Sequence, residues 1–149
     1  MPMGRGETYH VRVILYECSD LLAADSVLEG GKSDPYVVFT VGDTTHKSSR
    51  KNNDLNPKWG PPEKFEFTVH DWEYEFILVN VFDHDTFSKD DLIGSAVIPL
   101  ALYSGGRHQD LYRYPLVLPD EVGEHGPRSD IHLQITLTTS DGQPVHYYY

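Results

Sequence analysis

Nine consecutive residues, Asp83-His84-Asp85-Thr86-Phe87-Ser88-Lys89-Asp90-Asp91, carry most of the chemistry in this chain. They directly follow the apolar run Phe76 to Phe82 and end where Leu92-Ile93-Gly94 opens the next one. Asp83 and Asp85 are two apart on extended chain and so point the same way, and a returning loop can bring Asp91 back beside them. A second acidic stretch, Asp25-Ser26-Val27-Leu28-Glu29-Gly30-Gly31-Lys32-Ser33-Asp34, lies upstream. Crowded carboxylates raise one another's pKa or push their loops apart, and a cation removes that conflict. Oxygen donors without His or Cys at ligand spacing select a hard cation, and a flexible cage drawn from several loops favours Ca²⁺ over the rigid octahedron of Mg²⁺. An EF-hand is excluded by position: counted from Asp83, the fifth residue is Phe87, the sixth is Ser88 where Gly is required, and the twelfth is Gly94 where Glu is required. Aspartate is also the ordinary residue of exposed turns, so the carboxylates alone leave a purely structural reading open.

The loops need elements to hold them, and the apolar residues alternate by two far more often than they recur at three and four. The strands expected from that period are Tyr9–Tyr16, Tyr36–Val41, Thr44–Arg50, Lys64–Val69, Glu75–Phe82, Ile93–Ile98, Leu111–Leu118 and Ile131–Thr138. Turn residues fill the gaps at fairly regular spacing, and no segment offers a helix of ten residues or more. Eight short strands in 149 residues point to one all-β sandwich domain. Trp59 and Trp72 are expected in the core or in loop packing, and the single cysteine, Cys18, is expected as a small buried thiol.

Four ordered signatures narrow this further: Asp20-Leu21-Leu22-Ala23-Ala24-Asp25, Lys32-Ser33-Asp34-Pro35-Tyr36-Val37, Asp54-Leu55-Asn56-Pro57-Lys58-Trp59, and Val81-Phe82-Asp83-His84-Asp85 through Asp91-Leu92-Ile93-Gly94. With these, the stretch from about Tyr9 to Thr138 resembles a C2 domain. The resemblance implies an eight-stranded antiparallel β-sandwich whose three loops at one end bind two or three Ca²⁺ ions and then anionic phospholipid. Carried over by position, it implies calcium ligands at Asp25, Asp34, Asp83, Asp85 and Asp91, with Ser88 lining an additional ion and backbone carbonyls near Ala24 and His84 completing the shell. Eight residues separate Asp25 from Asp34 where five are common in the family, so residues 26–32 look like an insertion and Asp25 departs most from the pattern. Eight residues precede the first strand, which favours the type II permutation with Ile131–Thr138 last. The division expected is a flexible start over 1–8, the domain over 9–139 and a mobile tail over 140–149, whose three tyrosines could also dock on the domain or a partner.

Two membrane-facing features have their own local basis. Phe87 sits in the middle of one acidic loop and Val27-Leu28 in the middle of the other, with no obvious core to reach. Exposed apolar tips on neighbouring loops suit shallow insertion at a headgroup interface, although either tip could fold back on its own loop. The resemblance places Lys89 near lipid headgroups. Lys47, Arg50, Lys51, Lys58 and Lys64 are five of the twelve basic residues, opposed between positions 47 and 64 only by Asp54 and Glu63. The family often uses a basic strand here for phosphoinositide; a solvated strand face is the plainer reading.

The charge balance, 12 basic against 23 acidic residues for a net −11, repels a phosphate backbone and excludes nucleic acid as a partner. The longest apolar stretch is far short of the ~20 residues of a spanning helix. The first residues lack an apolar run of signal-peptide length, and no Asn-x-Ser/Thr acceptor occurs, so a cytoplasmic address is expected, with reversible association at membranes. No His-Glu-x-x-His, Gly-x-Ser-x-Gly or phosphate-loop motif is present, and the chain is expected not to be an enzyme. The expectation is thus a monomeric calcium-triggered module for phosphatidylserine-type or phosphoinositide membranes, of use in signalling or membrane trafficking. A calcium-independent domain that recruits a protein partner is the alternative.

Overall fold

The computed structural model describes residues 7–23, 32–106 and 110–146. Eight strands form among them: β1 (Tyr9–Ser19), β2 (Pro35–Val41), β3 (Thr44–Lys47), β4 (Lys58–Val69), β5 (Phe76–Asp83), β6 (Asp91–Pro99), β7 (Tyr112–Pro115) and β8 (Asp130–Thr139). They pair antiparallel into two four-stranded sheets, ordered β4-β1-β8-β7 and β3-β2-β5-β6. The all-β sandwich expected from the sequence is the fold observed, with β8 as the last strand and the first acidic loop directly after β1. The helices described are short 3₁₀ segments, Trp72–Tyr74, Leu100–Gly106 and Asp120–His125.

Alternation decides which side chains face inward. Val11, Val13 and Leu15 of β1 meet Val37, Phe39 and Val41 of β2 and Ile77, Val79 and Val81 of β5 across the sandwich, and all are buried. β1 then changes phase. A register shift between Leu15 and Glu17 inserts a bulge, so the next buried residue is Cys18 rather than Glu17. Burial also pushes the Cys18 thiol pKa up, with smaller contributions from Asp130 and Glu17. Trp59 and Trp72 are both core residues, and the Trp59 indole N–H donates to the Ser49 carbonyl at 3.0 Å.

Among the strand boundaries that differ from expectation, three have a local reason. β4 begins at Lys58 instead of Lys64 and runs through Pro61 and Pro62, tolerable because β4 is a sheet edge. β3 ends at Lys47 instead of Arg50 because the Ser48 hydroxyl, in place of a backbone carbonyl, accepts the Val37 N–H at 2.8 Å. The run expected over Leu111–Leu118 divides between the sheets. Leu116 N–H donates to the Ser129 carbonyl, while Ser95 and Val117 exchange hydrogen bonds of 2.9 and 2.7 Å with each other. After Thr139 the chain turns back over 140–145: Pro144 bridges to Thr138, and Val145 enters the core with 3% exposure. The turn is held by the Thr139 N–H on the Gln143 carbonyl at 2.8 Å and the Gly142 N–H on the Thr139 carbonyl at 2.9 Å.

Candidate calcium and membrane site

Pro35 pairs with Asp83 and Asp83 with Asp91, so the start of β2, the end of β5 and the start of β6 share one end of the sandwich. Asp83 closes β5 as a buried carboxylate, 3% exposed. Its Oδ1 accepts the Asp34 N–H at 2.6 Å, and the Asp34 carbonyl accepts the His84 N–H at 3.0 Å. Asp34 in turn uses Oδ1 to accept the Asn53 N–H at 2.7 Å, and the Ser33 carbonyl accepts the Asp54 N–H at 3.0 Å. Three connections, those after β1, β3 and β5, are laced together through these groups.

The loop over 84–90 is held from within. Asp85 Oδ1 accepts the N–H groups of Phe87 at 2.8 Å and Ser88 at 3.2 Å, the Asx-turn that aspartate makes when its side chain caps its own loop. The Phe87 N–H first, and then the Ser88 groups, hold the Asp85 carboxyl below its ordinary pKa. Asp90 is the partner that sequence reasoning missed. Its Oδ1 accepts the Asp85 N–H at 3.0 Å, its Oδ2 accepts the Tyr36 hydroxyl, and His84 Nδ1 lies 3.5 Å from Oδ1. The Asp85 N–H leads the causes that lower the Asp90 pKa, followed by the Tyr36 hydroxyl. Tyr36 itself is pushed up to about 12 by burial and by Asp90. Nothing in the Asp90-Asp91 dipeptide distinguishes the two; only the tyrosine across on β2 does.

Of the residues singled out in the sequence, Asp83 and Asp91 are cross-strand partners and the Asp34 N–H bonds to Asp83, so their backbones share one end of the sandwich, while Asp85 stands on the adjoining loop with its carboxylate turned to its own backbone. Among the described residues no group of three or more His, Cys, Asp or Glu side chains is closed into a metal-holding arrangement. Asp25, Val27 and Leu28 lie outside the described residues. The donor set is all oxygen, which fits a hard cation. Phe87 is 96% exposed at the loop tip, with Ser88 and Lys89 exposed beside it.

The basic residues divide. Lys47 on β3 stands over the Tyr36 ring, Nζ 4.7 Å from the centroid, and Arg50 donates from Nε to Asn52 Oδ1 at 3.1 Å. Lys51 is half-buried, whereas Lys58 and Lys64 lie exposed on β4. β3 and β4 belong to different sheets, yet a His46 ring nitrogen lies 2.9 Å from the Glu66 carbonyl, so the two edges adjoin. Glu63 intrudes, binding the Ser49 N–H and hydroxyl, so the face is not uniformly positive.

The model of the C2 domain family matches residues 9–114. Extended synaptotagmin-3 of Xenopus tropicalis is 43% identical over 93 residues, 60% of this chain and 10% of that protein. A multiple C2 and transmembrane domain-containing protein of Drosophila melanogaster is 38% identical over 143 residues, 93% of this chain and 15% of that protein. Among solved structures, the calcium-bound pair of C2 domains of extended synaptotagmin 2 superposes with TM-score 0.72 at 28% identity, covering 93% of this chain and 48% of that one. A single C2 domain of a plant extended synaptotagmin 1 gives 0.69 at 21% identity, covering 93% and 96%. The chain spans between 10% and 17% of the length of the curated relatives it matches. The paired strand ends that gather Asp34, Asp83 and Asp91, the two four-stranded sheets and the match over residues 9–114 agree, and the chain belongs to the C2 domain family.

Proposed function

We propose that this domain binds anionic phospholipid membranes in response to calcium, as a targeting module without catalytic activity of its own. The observation that carries the reading is the end of the sandwich shared by the backbones of Asp34, Asp83 and Asp91, beside a loop whose tip, Phe87, is 96% exposed. Asp34, Asp83, Asp85 and Asp91, with Asp25 from the first loop and Ser88 at the rim, would hold two or three Ca²⁺ ions. Bound there, calcium supplies positive charge and open coordination positions for lipid phosphate oxygens. The chain's own residues do the rest. The carboxylates repel an anionic leaflet while uncompensated; Asp90 and Tyr36 hold the loop that presents Phe87; and Phe87, with Val27 and Leu28 on the first loop, enters the headgroup region, with Lys89 facing phosphate. Lys47, Arg50, Lys51, Lys58 and Lys64 form a second, weaker surface for phosphoinositide at the β3–β4 edge. A calcium-bound structure of extended synaptotagmin 2 domains supports the cation at the level of the family. The domain works as a monomer at the cytoplasmic face of membranes.

The test is calorimetric titration with Ca²⁺, followed by sedimentation with phosphatidylserine-containing liposomes with and without chelator. Saturable calcium binding together with chelator-sensitive sedimentation is expected. No calcium heat and no sedimentation would favour the calcium-independent protein-binding alternative.

A further inference from the structure

A cleft of about 780 Å³ opens beside the loop end of the sandwich, between the first half of β6 and the segment 117–122. One end is closed by the Ser95–Val117 bridge, which ties that segment to β6. Its apolar lining includes Leu92 and Val117, 40% and 67% exposed, together with Leu118 and Val122. The last two are held in place by close packing on Gly126, where a Cβ would fall 2.4 Å from Leu118 and 2.5 Å from Val122. The rim is acidic, with Asp120 and Glu121 on one side and Asp91 on the other, and none of the lining described is Lys, Arg or His. Apolar side chains beside three carboxylates, with no cation among the residues that line the cleft, select against an anionic lipid headgroup and against another copy of this chain, which carries a net −11. They suit an apolar side chain flanked by cations.

We propose that this cleft docks a peptide segment in which an apolar residue is flanked by Lys or Arg, and that it does so without calcium. Asp91 is shared with the proposed calcium site, but the docking stands on Asp120, Glu121 and the apolar walls, so it does not depend on that reading.

The probe is a fluorescein-labelled synthetic peptide with a Leu-Trp-Leu core and two lysines on each side, titrated with the whole chain in chelator and followed by anisotropy. Saturable binding is expected. A Gly-Ser-Gly core in the peptide should abolish it, and so should glutamate in place of the flanking lysines. Asp120→Lys with Glu121→Lys should weaken binding roughly tenfold, whereas the equally large reversal Asp43→Lys with Glu73→Lys, at the far end of the sandwich, should leave it unchanged. Val117→Ser should weaken it with no change in charge. Equal loss from the distant reversal would reduce the binding to general attraction by an acidic protein and overturn the proposal. So would no binding by the unaltered chain, displacement of the peptide by phosphatidylcholine liposomes, or a dimer of the chain that excludes the peptide. Because every measurement is made in chelator, calcium heat that is absent or present leaves the outcome untouched.

Discussion

Asp85 and Asp90 lie five residues apart and do different work, which is where single substitutions separate binding from scaffolding. Asp85 offers both a cap for the Phe87 and Ser88 N–H groups and a carboxylate to the proposed ions. Asp85→Asn keeps one oxygen for the cap but removes the charge, so calorimetry should show calcium binding lost while the fold persists, with a thermal midpoint without calcium that is unchanged or slightly lowered because a neutral amide oxygen is the weaker acceptor for the Phe87 and Ser88 N–H groups. Asp90 is set against Tyr36 and the Asp85 N–H. Tyr36→Phe deletes one donor while keeping the ring stacked on Phe82, so the Asp90 carboxyl should titrate at higher pH in an NMR titration than it does in the parent. Both carboxyls have pKa values lowered by folding, so they stabilise this loop above the ordinary carboxyl range near 4, and that contribution disappears as pH falls through the lowered values. Protection of the Phe87 and Ser88 amides, taken as observed against intrinsic exchange at each pH, should therefore fall in acid, and the fall should begin at higher pH in Tyr36→Phe. The return of Asp91 beside Asp83 was legible in the sequence because β5 is long and apolar enough to fix where the loop behind it begins. The role of Asp90 was not, since it depends on a hydroxyl 54 positions away.

At the scale of elements, alternation made all eight strands readable, and it failed where the backbone changes phase or partner. In β1 the inward set is odd-numbered to Leu15 and then resumes at Cys18, because the bulge adds a residue that no local pattern announces. In the run expected over Leu111–Leu118, Leu116 and Val117 bond to different sheets, a division set by tertiary partners rather than propensity. The loop over 84–90 is an element of another kind: its hydrogen bonds point inward and its one large apolar side chain points out. Phe87→Ala should weaken calcium-dependent liposome binding by about 1–2 kcal/mol, the burial of one ring at the interface, and leave calcium affinity without lipid unaltered. Equal sedimentation of parent and variant would remove insertion from the account.

For the molecule as a whole, a net charge of −11 means that attraction to an acidic leaflet must be local to one end. Raising salt from about 0.1 M to about 1 M shortens the screening length from about 10 Å to about 3 Å. Liposome binding by the parent should fall steeply across that range, and the part that survives should be the part Phe87→Ala removes. Sedimentation of both proteins along a salt series checks this. The two sheets carry that end between them, Asp83 on one and the exit of β1 on the other. They are pinned by hydrogen bonds at both margins, Ser95 to Val117 along one edge and His46 to the Glu66 carbonyl along the other. A pair of plates riveted on two opposite sides resists shear and torsion far better than plates held by grease alone, since a slip of one residue breaks directional bonds on both flanks at once. Tension applied between a membrane at the loop end and the opposite end of the sandwich would thus load it as a stiff body, and the bonds of Asp85 and Asp90 within the loop that carries Phe87 would pass that load to β5 and β2.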